Sequence, residues 1–245
     1  MVRAELMNTD GASFIEYPTS PVASEISGLE STLFISPYEA QKVISSNLFP
    51  FPNTGNLTLD TFNVSARIVT DAGFRCVDEA TVYAGRVSDA FTAAYFYEFD
   101  RGISGYDPNN VGTPPITPGY PLGNPNLPYF KVHAADVGFT FATVGADQYR
   151  DPQDLYYEQL VSGYWAEFTK SLQPNPALEY LQVRGYTNTI EAIKIGGSWD
   201  PIVQGSRTGP VKRLNWPPVT SDYLEVEQCT YLNYSLTYYL DSNRG

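Results

Sequence analysis

Histidine is almost absent from this chain, since His133 is the only one among its 245 residues. Imidazole is the side chain whose unperturbed pKa suits proton transfer near neutral pH, so any such chemistry through histidine has to use His133. A lone histidine more often has a structural role, with its ring nitrogens satisfied by hydrogen bonds. His133 is therefore the single histidine to weigh as an acid or base, against that structural alternative.

Cysteine is also scarce, with only Cys76 and Cys229 present. A structural zinc site takes four clustered ligands, and two cysteines with one histidine do not supply them. We therefore predict no metal site and no cofactor. One disulfide is the simpler interpretation of the two cysteines.

Positive charge is limited, because 15 lysines and arginines stand against 27 aspartates and glutamates, a formal net charge of −12. Phosphate binding needs clustered basic side chains, so nucleic acid and anionic membranes are disfavoured as partners. The sequence has no apolar run long enough for a transmembrane helix. Residues 1–30 also lack the basic start and apolar core of a signal peptide.

The residues that are abundant indicate a globular protein. Hydrophobic residues make up 42% of the chain, enough for one good-sized core at this length. Prolines, tyrosines and glycines, 19 of each, indicate a loop-rich and aromatic-rich protein. Since the sequence shows neither internal repeats nor a low-complexity linker, we predict one domain over residues 1–245.

Three sequons match the acceptor pattern for N-glycosylation, at Asn56, Asn63 and Asn233. Glycosylation and disulfide formation both occur in an oxidising, secretory compartment. Together with the expected disulfide, the sequons predict a secreted glycoprotein. Because the first 30 residues show no signal peptide, we expect the beginning of such a protein to lie upstream of this sequence.

Capping residues and periodicity predict most of the regular structure. Ser36 as N-cap, Pro37 in the first turn and Glu39 three residues after the cap predict the start of a helix. Asp151 followed by proline predicts another. Residues 93–99 alternate as in a buried strand. The remaining expectations are helices over 59–70, 74–90 and 151–171, irregular structure over 100–128, a hairpin from 178–183 to 189–195, and a closing segment over 223–240.

Two local patterns draw attention to Asp10 and His133. Residues 2–8 have the character of a strand end and Thr9-Asp10-Gly11 that of a tight turn. Open α/β sheets place their chemistry at such strand ends, although an aspartate in a turn usually only stabilises the turn. A proline-rich segment, 113–128, leads to His133 and predicts that it lies on a loop.

Four separated stretches carry further motifs. Asn8-Thr-Asp10-Gly11-Ala-Ser-Phe14 is similar to N-x-(D/N)-E-G-x-x-F. His133-Ala-Ala-Asp136-Val-Gly-Phe-Thr-Phe141 is similar to H-G-x-E-(L/I)-x-(Y/F)-V-F-G. The stretch from Tyr164 to Asn175 is similar to W-x-x-F-A-K-x-G-x-P-N, and Trp216-Pro217 to a final W-P. In this order they resemble the carboxyl-terminal half of the type B carboxylesterases, the α/β-hydrolase family that includes cholinesterases and fungal lipases.

The resemblance implies an α/β fold made of the last strands of the central sheet of an α/β-hydrolase, with surrounding helices and long loops. It implies hydrolysis of carboxylic esters through an acyl-enzyme, with His133 as general base and acid and Asp10 as the carboxylate that orients it. Asp136 would support the histidine loop, with a plain surface carboxylate as the alternative. Cys76 and Cys229 lie where cholinesterase-like members form a disulfide.

The departures from the family pattern limit what the chain can do. The nucleophile motif G-x-S-x-G and the glycine-rich oxyanion loop are absent from the 245 residues. The two serines whose surroundings come closest to this motif are Ser104 and Ser198. Both lack the final glycine, and both follow Asp10 in the chain instead of preceding it. Asp10 replaces the usual glutamate, and alanine replaces glycine at Ala134 and Ala142.

We therefore expect the chain to be the carboxyl-terminal segment of a secreted carboxylesterase or lipase, inactive alone because the serine lies elsewhere. Such a segment would expose a sheet edge and an apolar face that a protein partner could cover. One alternative is a non-catalytic interaction protein on the same scaffold. Another is a degenerate remnant without a stable fold.

Overall fold

The computed structural model describes residues 10–146 and 148–237, so the strand end expected at residues 2–8 lies outside the described residues. The described part is a mixed helix and sheet protein. Its helices are α1 Glu25–Leu33, α2 Pro37–Ser46, α3 Leu57–Thr70, α4 Cys76–Val87, α5 Val137–Thr140, α6 Pro152–Ser171, α7 Leu178–Val183, α8 Thr187–Gly196 and α9 Val226–Leu232. Short 3-10 turns cover Asp10–Ser13 and Val144–Ala146, and a π-helical turn covers Asp71–Arg75.

A small sheet holds three strands, β1 Phe96–Phe99, β2 Val211–Leu214 and β3 Val219–Ser221. Strand β2 lies in the middle, parallel to β1 and antiparallel to β3. All four residues of β2 are buried, whereas β1 is buried only at Phe99. The strand predicted at 93–99 is therefore present in its second half, as a partly exposed strand instead of the buried one expected. The connection from β1 to β2 contains His133.

Local capping chemistry explains the helices that were predicted well. The Ser36 side chain accepts a hydrogen bond from the Glu39 N–H, and the Glu39 carboxylate accepts one from the Ser36 N–H, which is the reciprocal capping box. The Asp151 carboxylate accepts hydrogen bonds from the first-turn N–H groups of α6. The helices predicted over 59–70 and 74–90 are α3 and α4, joined directly by the π-helical turn.

The hairpin predicted from 178–183 to 189–195 is wrong, because these residues form α7 and α8. Apolar side chains recur here at helical as well as alternating spacing, and the helical pattern is the one that packs. Ile190 and Ile193, three residues apart, pack on the core, and the Thr189 hydroxyl donates to the Tyr156 carbonyl of α6. Burial against α6 therefore decided between the two patterns.

The largest part of the core surrounds α6. It holds aromatic and aliphatic side chains from β1, β2, α5, α6, the 3-10 turn at Val144–Ala146 and the segment after α8, namely Phe99, Phe139, Val144, Tyr157, Leu160, Val161, Tyr164, Trp199 and Leu214. A second cluster connects the 3-10 turn at Asp10–Ser13 to α3 and to the histidine loop, through Ala12, Ile15, Phe62, Ala66, Phe130, Val132 and Ala135. This second cluster sets the positions of Asp10 and His133.

The predicted disulfide is confirmed. Cys76 at the start of α4 is bonded to Cys229 in α9, with a Cα–Cα distance of 5.0 Å and a sequence separation of 153 residues. The bond ties the last described helix to the element that follows the π-helical turn.

The three sequons differ in accessibility. Asn56 and Asn233 are exposed, at the N-cap of α3 and the C-cap of α9. Asn63 lies inside α3 with 8% of its surface exposed, which leaves no room for a glycan, so the expectation at Asn63 is corrected. Along the described ranges, none of the helices joins the length and apolarity needed to cross a bilayer.

Candidate functional site

The structure brings Asp10 and His133 together across 123 positions of sequence. The His133 Nδ1 lies 3.2 Å from the Asp10 Oδ1, within hydrogen-bonding distance. The imidazole is 43% exposed and the carboxylate 18% exposed. The pair is thus accessible from solvent on the histidine side and partly enclosed on the acid side.

Asp10 is placed by the packing of its turn against α3. The Gly11 N–H donates to the Thr70 hydroxyl at 3.0 Å. A Cβ on Gly11 would lie 2.2 Å from the Ala66 carbonyl oxygen, closer than atoms can approach. Glycine at this position is therefore required by the close contact between the turn and the helix.

His133 lies on a loop, as its proline-rich approach predicted, since no helix or strand covers residues 100–132. Its backbone forms an isolated antiparallel bridge with Tyr106. Ala134, the next residue, has φ of 62°, in the left-handed region that favours glycine.

Two aromatic rings pack beside the imidazole. Phe14 lies edge-on to it with ring centroids 5.2 Å apart, and the Phe74 ring lies 5.5 Å away. Phe14 comes from the same turn region as Asp10, and Phe74 comes from the π-helical turn. These contacts restrict rotation of the imidazole and favour the orientation that points Nδ1 at Asp10.

The pair lies at the wall of a cleft of about 570 Å³. The cleft is formed by the histidine loop, the π-helical turn, β1 and the segment before α9. Burial raises the pKa of Asp10, the Asp136 charge adds to the increase, and the hydrogen bond and charge of His133 oppose it. Asp136 lines the same cleft, but across the described residues its side chain makes no hydrogen bond to Asp10 or His133.

Arg75 forms part of the cleft and was not singled out by the sequence. Its guanidinium is paired with the adjacent Asp71 and lies 3.2 Å from the Glu98 carboxylate and 3.8 Å from the Glu225 carboxylate. Asp71 belongs to the same π-helical turn, but Glu98 comes from β1 and Glu225 from the segment before α9, so only the folded chain assembles this cluster. The sole signal in the sequence was its position beside Cys76.

Neither serine weighed from the sequence lines the cleft of His133. Ser104 is exposed and lines a separate cavity of about 270 Å³. Ser198 is exposed and donates its hydroxyl to Asp200. Over the described part of the chain, no serine side chain is among those lining the cleft.

No protein-family model matches the chain, and no curated protein matches it. The resemblance to the type B carboxylesterases therefore rests on the sequence motifs alone.

Proposed function

We propose that this chain supplies the acid–base half of the catalytic site of a serine carboxylesterase or lipase, as the carboxyl-terminal portion of an α/β-hydrolase. The observation that carries the proposal is the 3.2 Å contact between His133 Nδ1 and Asp10 Oδ1 at the wall of an open cleft. An orienting carboxylate, a histidine and an adjacent space for substrate are the parts that acyl transfer requires on the acid–base side.

The proposal gives each residue one role. When His133 donates its Nδ1 proton to Asp10, its Nε2 carries the lone pair that accepts a proton from a nucleophile. Nε2 has no hydrogen-bond partner among the described residues. His133 then acts as general base and later as general acid, while Asp10 holds the tautomer and stabilises the imidazolium.

Backbone geometry at the motif positions supports the family resemblance. Ala134 and Ala142 stand where the family motif has glycine, and both have positive φ, 62° and 53°. Gly11 occupies the glycine of the acid motif and is required by its contact with α3. The last residue of that motif, Phe14, packs against His133. The backbone thus explains the glycine of the family motif at positions 134 and 142, although this chain has alanine there.

The proposal places the serine and the oxyanion donors outside this chain. A positioned base alone supplies only about 10²- to 10⁴-fold of rate enhancement. We expect the purified chain to hydrolyse p-nitrophenyl butyrate no more than about 10⁴-fold faster than the uncatalysed reaction. Turnover at ordinary enzyme rates would show that the nucleophile is present in this chain after all. The disulfide and the exposed Asn56 and Asn233 support secretion as part of the proposal.

The decisive experiment is transcript sequencing upstream of the codon for Met1, followed by expression of the longest open frame. If the product contains G-x-S-x-G, a fluorophosphonate should label its serine. His133→Ala should then lower kcat by roughly 10⁴-fold or more, and Asp10→Asn by roughly 10²- to 10⁴-fold. A product that hydrolyses esters equally well with His133→Ala would reject the assignment.

A non-catalytic binding protein on the same scaffold is the second candidate. It is favoured by the cleft itself, whose described lining contains no serine and is rich in carboxylates. On that view a protein partner covers the cleft and the edge of β1 that is unpaired among the described residues. A transcript that encodes only this chain, together with full solubility as a compact monomer, would favour this candidate over the esterase.

A further inference from the structure

Three hydrogen bonds form a closed ring between the acid turn and the histidine loop. The His133 N–H donates to the Ser13 Oγ at 2.9 Å. The Ser13 hydroxyl donates to the Tyr106 carbonyl at 2.5 Å, and the Tyr106 N–H donates to the His133 carbonyl at 2.7 Å. Ser13 is only 4% exposed, so little solvent competes for these bonds.

Ser13 lies in the same single turn as Asp10, since the 3-10 turn covers Asp10–Ser13. A 3-10 helix has three residues per turn, so positions three apart face the same side. The turn therefore holds His133 at two points, its backbone N–H through Ser13 and its ring Nδ1 through Asp10. A single hydroxyl fixes where the histidine backbone lies relative to the carboxylate.

We propose that Ser13 is a positioning residue that sets the distance between the Asp10 carboxylate and the His133 imidazole. The inference rests on the proposed function, because it concerns the same acid–base pair, and Ser13 itself touches no reacting atom. The ring needs a side chain that donates and accepts at once, which a hydroxyl does and an aliphatic group does not. Ser13→Ala removes two of its three bonds.

A second contact supports the same junction. The Asn109 side-chain amide donates to the carbonyls of Ala12 and Ile15 at 2.9 and 2.8 Å, and its oxygen accepts from the Tyr17 N–H at 3.0 Å. The loop that carries Tyr106 is thus fastened to both sides of Ser13. The three hydrogen bonds around Ser13 thus form between two segments that Asn109 already holds together.

The test uses the fact that His133 is the only histidine. In the 245-residue chain labelled with ¹⁵N-histidine, the two ring nitrogen shifts report the tautomer of one residue without ambiguity. We expect the Nδ1–H tautomer to dominate the neutral ring in the wild type. In Ser13→Ala the ratio of Nδ1–H to Nε2–H tautomers should fall roughly 2- to 10-fold, because the hydrogen bond from Nδ1–H to Asp10, which favours the first tautomer, is lost when the two residues move apart.

Thr189→Val is the matched control, because it also removes a buried hydroxyl but lies in α8, away from the cleft. It should lower stability without changing the tautomer ratio. A wild type in which the Nε2–H tautomer dominates would refute the Asp10–His133 pair and with it the proposed function. A wild type with the Nδ1–H tautomer and an unchanged ratio in Ser13→Ala would refute only the positioning role.

Amide hydrogen exchange in the wild type keeps the inference testable if Ser13→Ala fails to fold. If the three hydrogen bonds around Ser13 are formed, the amide protons of His133 and Tyr106 should exchange as slowly as those of the core helices. Exchange at the rate of an exposed loop would contradict it.

Discussion

Ala134 and Ala142 lie at the two ends of the segment that contains α5, and both take the left-handed backbone conformation, with φ of 62° and 53°. An alanine in this region is strained by about 1–2 kcal/mol because its Cβ crowds the following carbonyl oxygen. Glycine has no such strain, although it loses more backbone entropy on folding.

Replacing either alanine with glycine should therefore raise the free energy of unfolding, by about 0.5–1 kcal/mol for each site. Ala166→Gly is the control of opposite sign, since Ala166 is exposed in the interior of α6 and its replacement should destabilise by about 1 kcal/mol. Urea unfolding, monitored by circular dichroism, measures the free energy of unfolding of all three variants. Destabilisation by Ala142→Gly would mean that φ there is not positive.

The contact between the acid turn and α3 predicts a large effect at Gly11. A Cβ there would lie 2.2 Å from a backbone oxygen, so Gly11→Ala should destabilise by about 2–3 kcal/mol and displace Asp10 from His133. Gly163→Ala, in α6 with open space around the added methyl, should stabilise by about 0.5–1 kcal/mol. Thermal unfolding of both variants gives their melting temperatures relative to the wild type. Equal changes in the two variants would contradict the packing described for the turn.

Asp100 predicts a pH dependence of stability. Burial and the charge of Glu98 raise its pKa to about 6, although Arg213 lies 3.2 Å away and opposes the change. The folded state holds this proton more tightly than the unfolded chain, so the contribution of Asp100 to stability is complete below pH ~4 and is lost as the pH rises through about 6.

Asp100→Asn removes this proton equilibrium while keeping the size of the side chain. Between pH 4.5 and 7, the unfolding free energy of the variant should increase relative to the wild type by roughly 2 kcal/mol. Asp89→Asn, at an exposed position, controls for the general effect of removing one negative charge. A constant difference between Asp100→Asn and the wild type across this range would rule out the raised pKa.

The disulfide encloses a long loop, because its cysteines are 153 residues apart. Replacing both with serine should lower the free energy of unfolding by roughly 2–5 kcal/mol through the added entropy of the unfolded chain. Denaturant unfolding with and without a reductant checks this, since the reductant should lower wild-type stability to the level of the double variant. An effect of reductant on the double variant itself would point to another cause.

The sequence was informative where a few neighbouring residues decide the structure. The start of α2 follows from Ser36, Pro37 and Glu39, which complete their capping bonds within three residues. The loop position of His133 follows from the prolines before it. Both predictions depend on backbone sterics and local hydrogen bonds, which the surrounding fold does not alter.

Contacts between distant segments were harder to foresee. The pattern in α7 and α8 fits two periodicities, and only packing against α6 selects the helical one. Arg75 acquires partners from β1 and from the segment before α9, and Ser13 meets His133 across 120 positions. The resemblance to the carboxylesterases predicted that Asp10 pairs with His133, but Ser13 falls at a variable position of the acid motif and Arg75 lies outside the four stretches compared.

The bond between Cys76 and Cys229 also determines what a protease can release from this protein. Any cut between these residues, including one in the irregular segment that leads to His133, leaves two pieces that are still covalently joined. Asp10 precedes the enclosed region and His133 lies within it, so a nicked chain would keep the acid and the histidine in one molecule. A cleaved form of this protein would migrate as a single species until it is reduced.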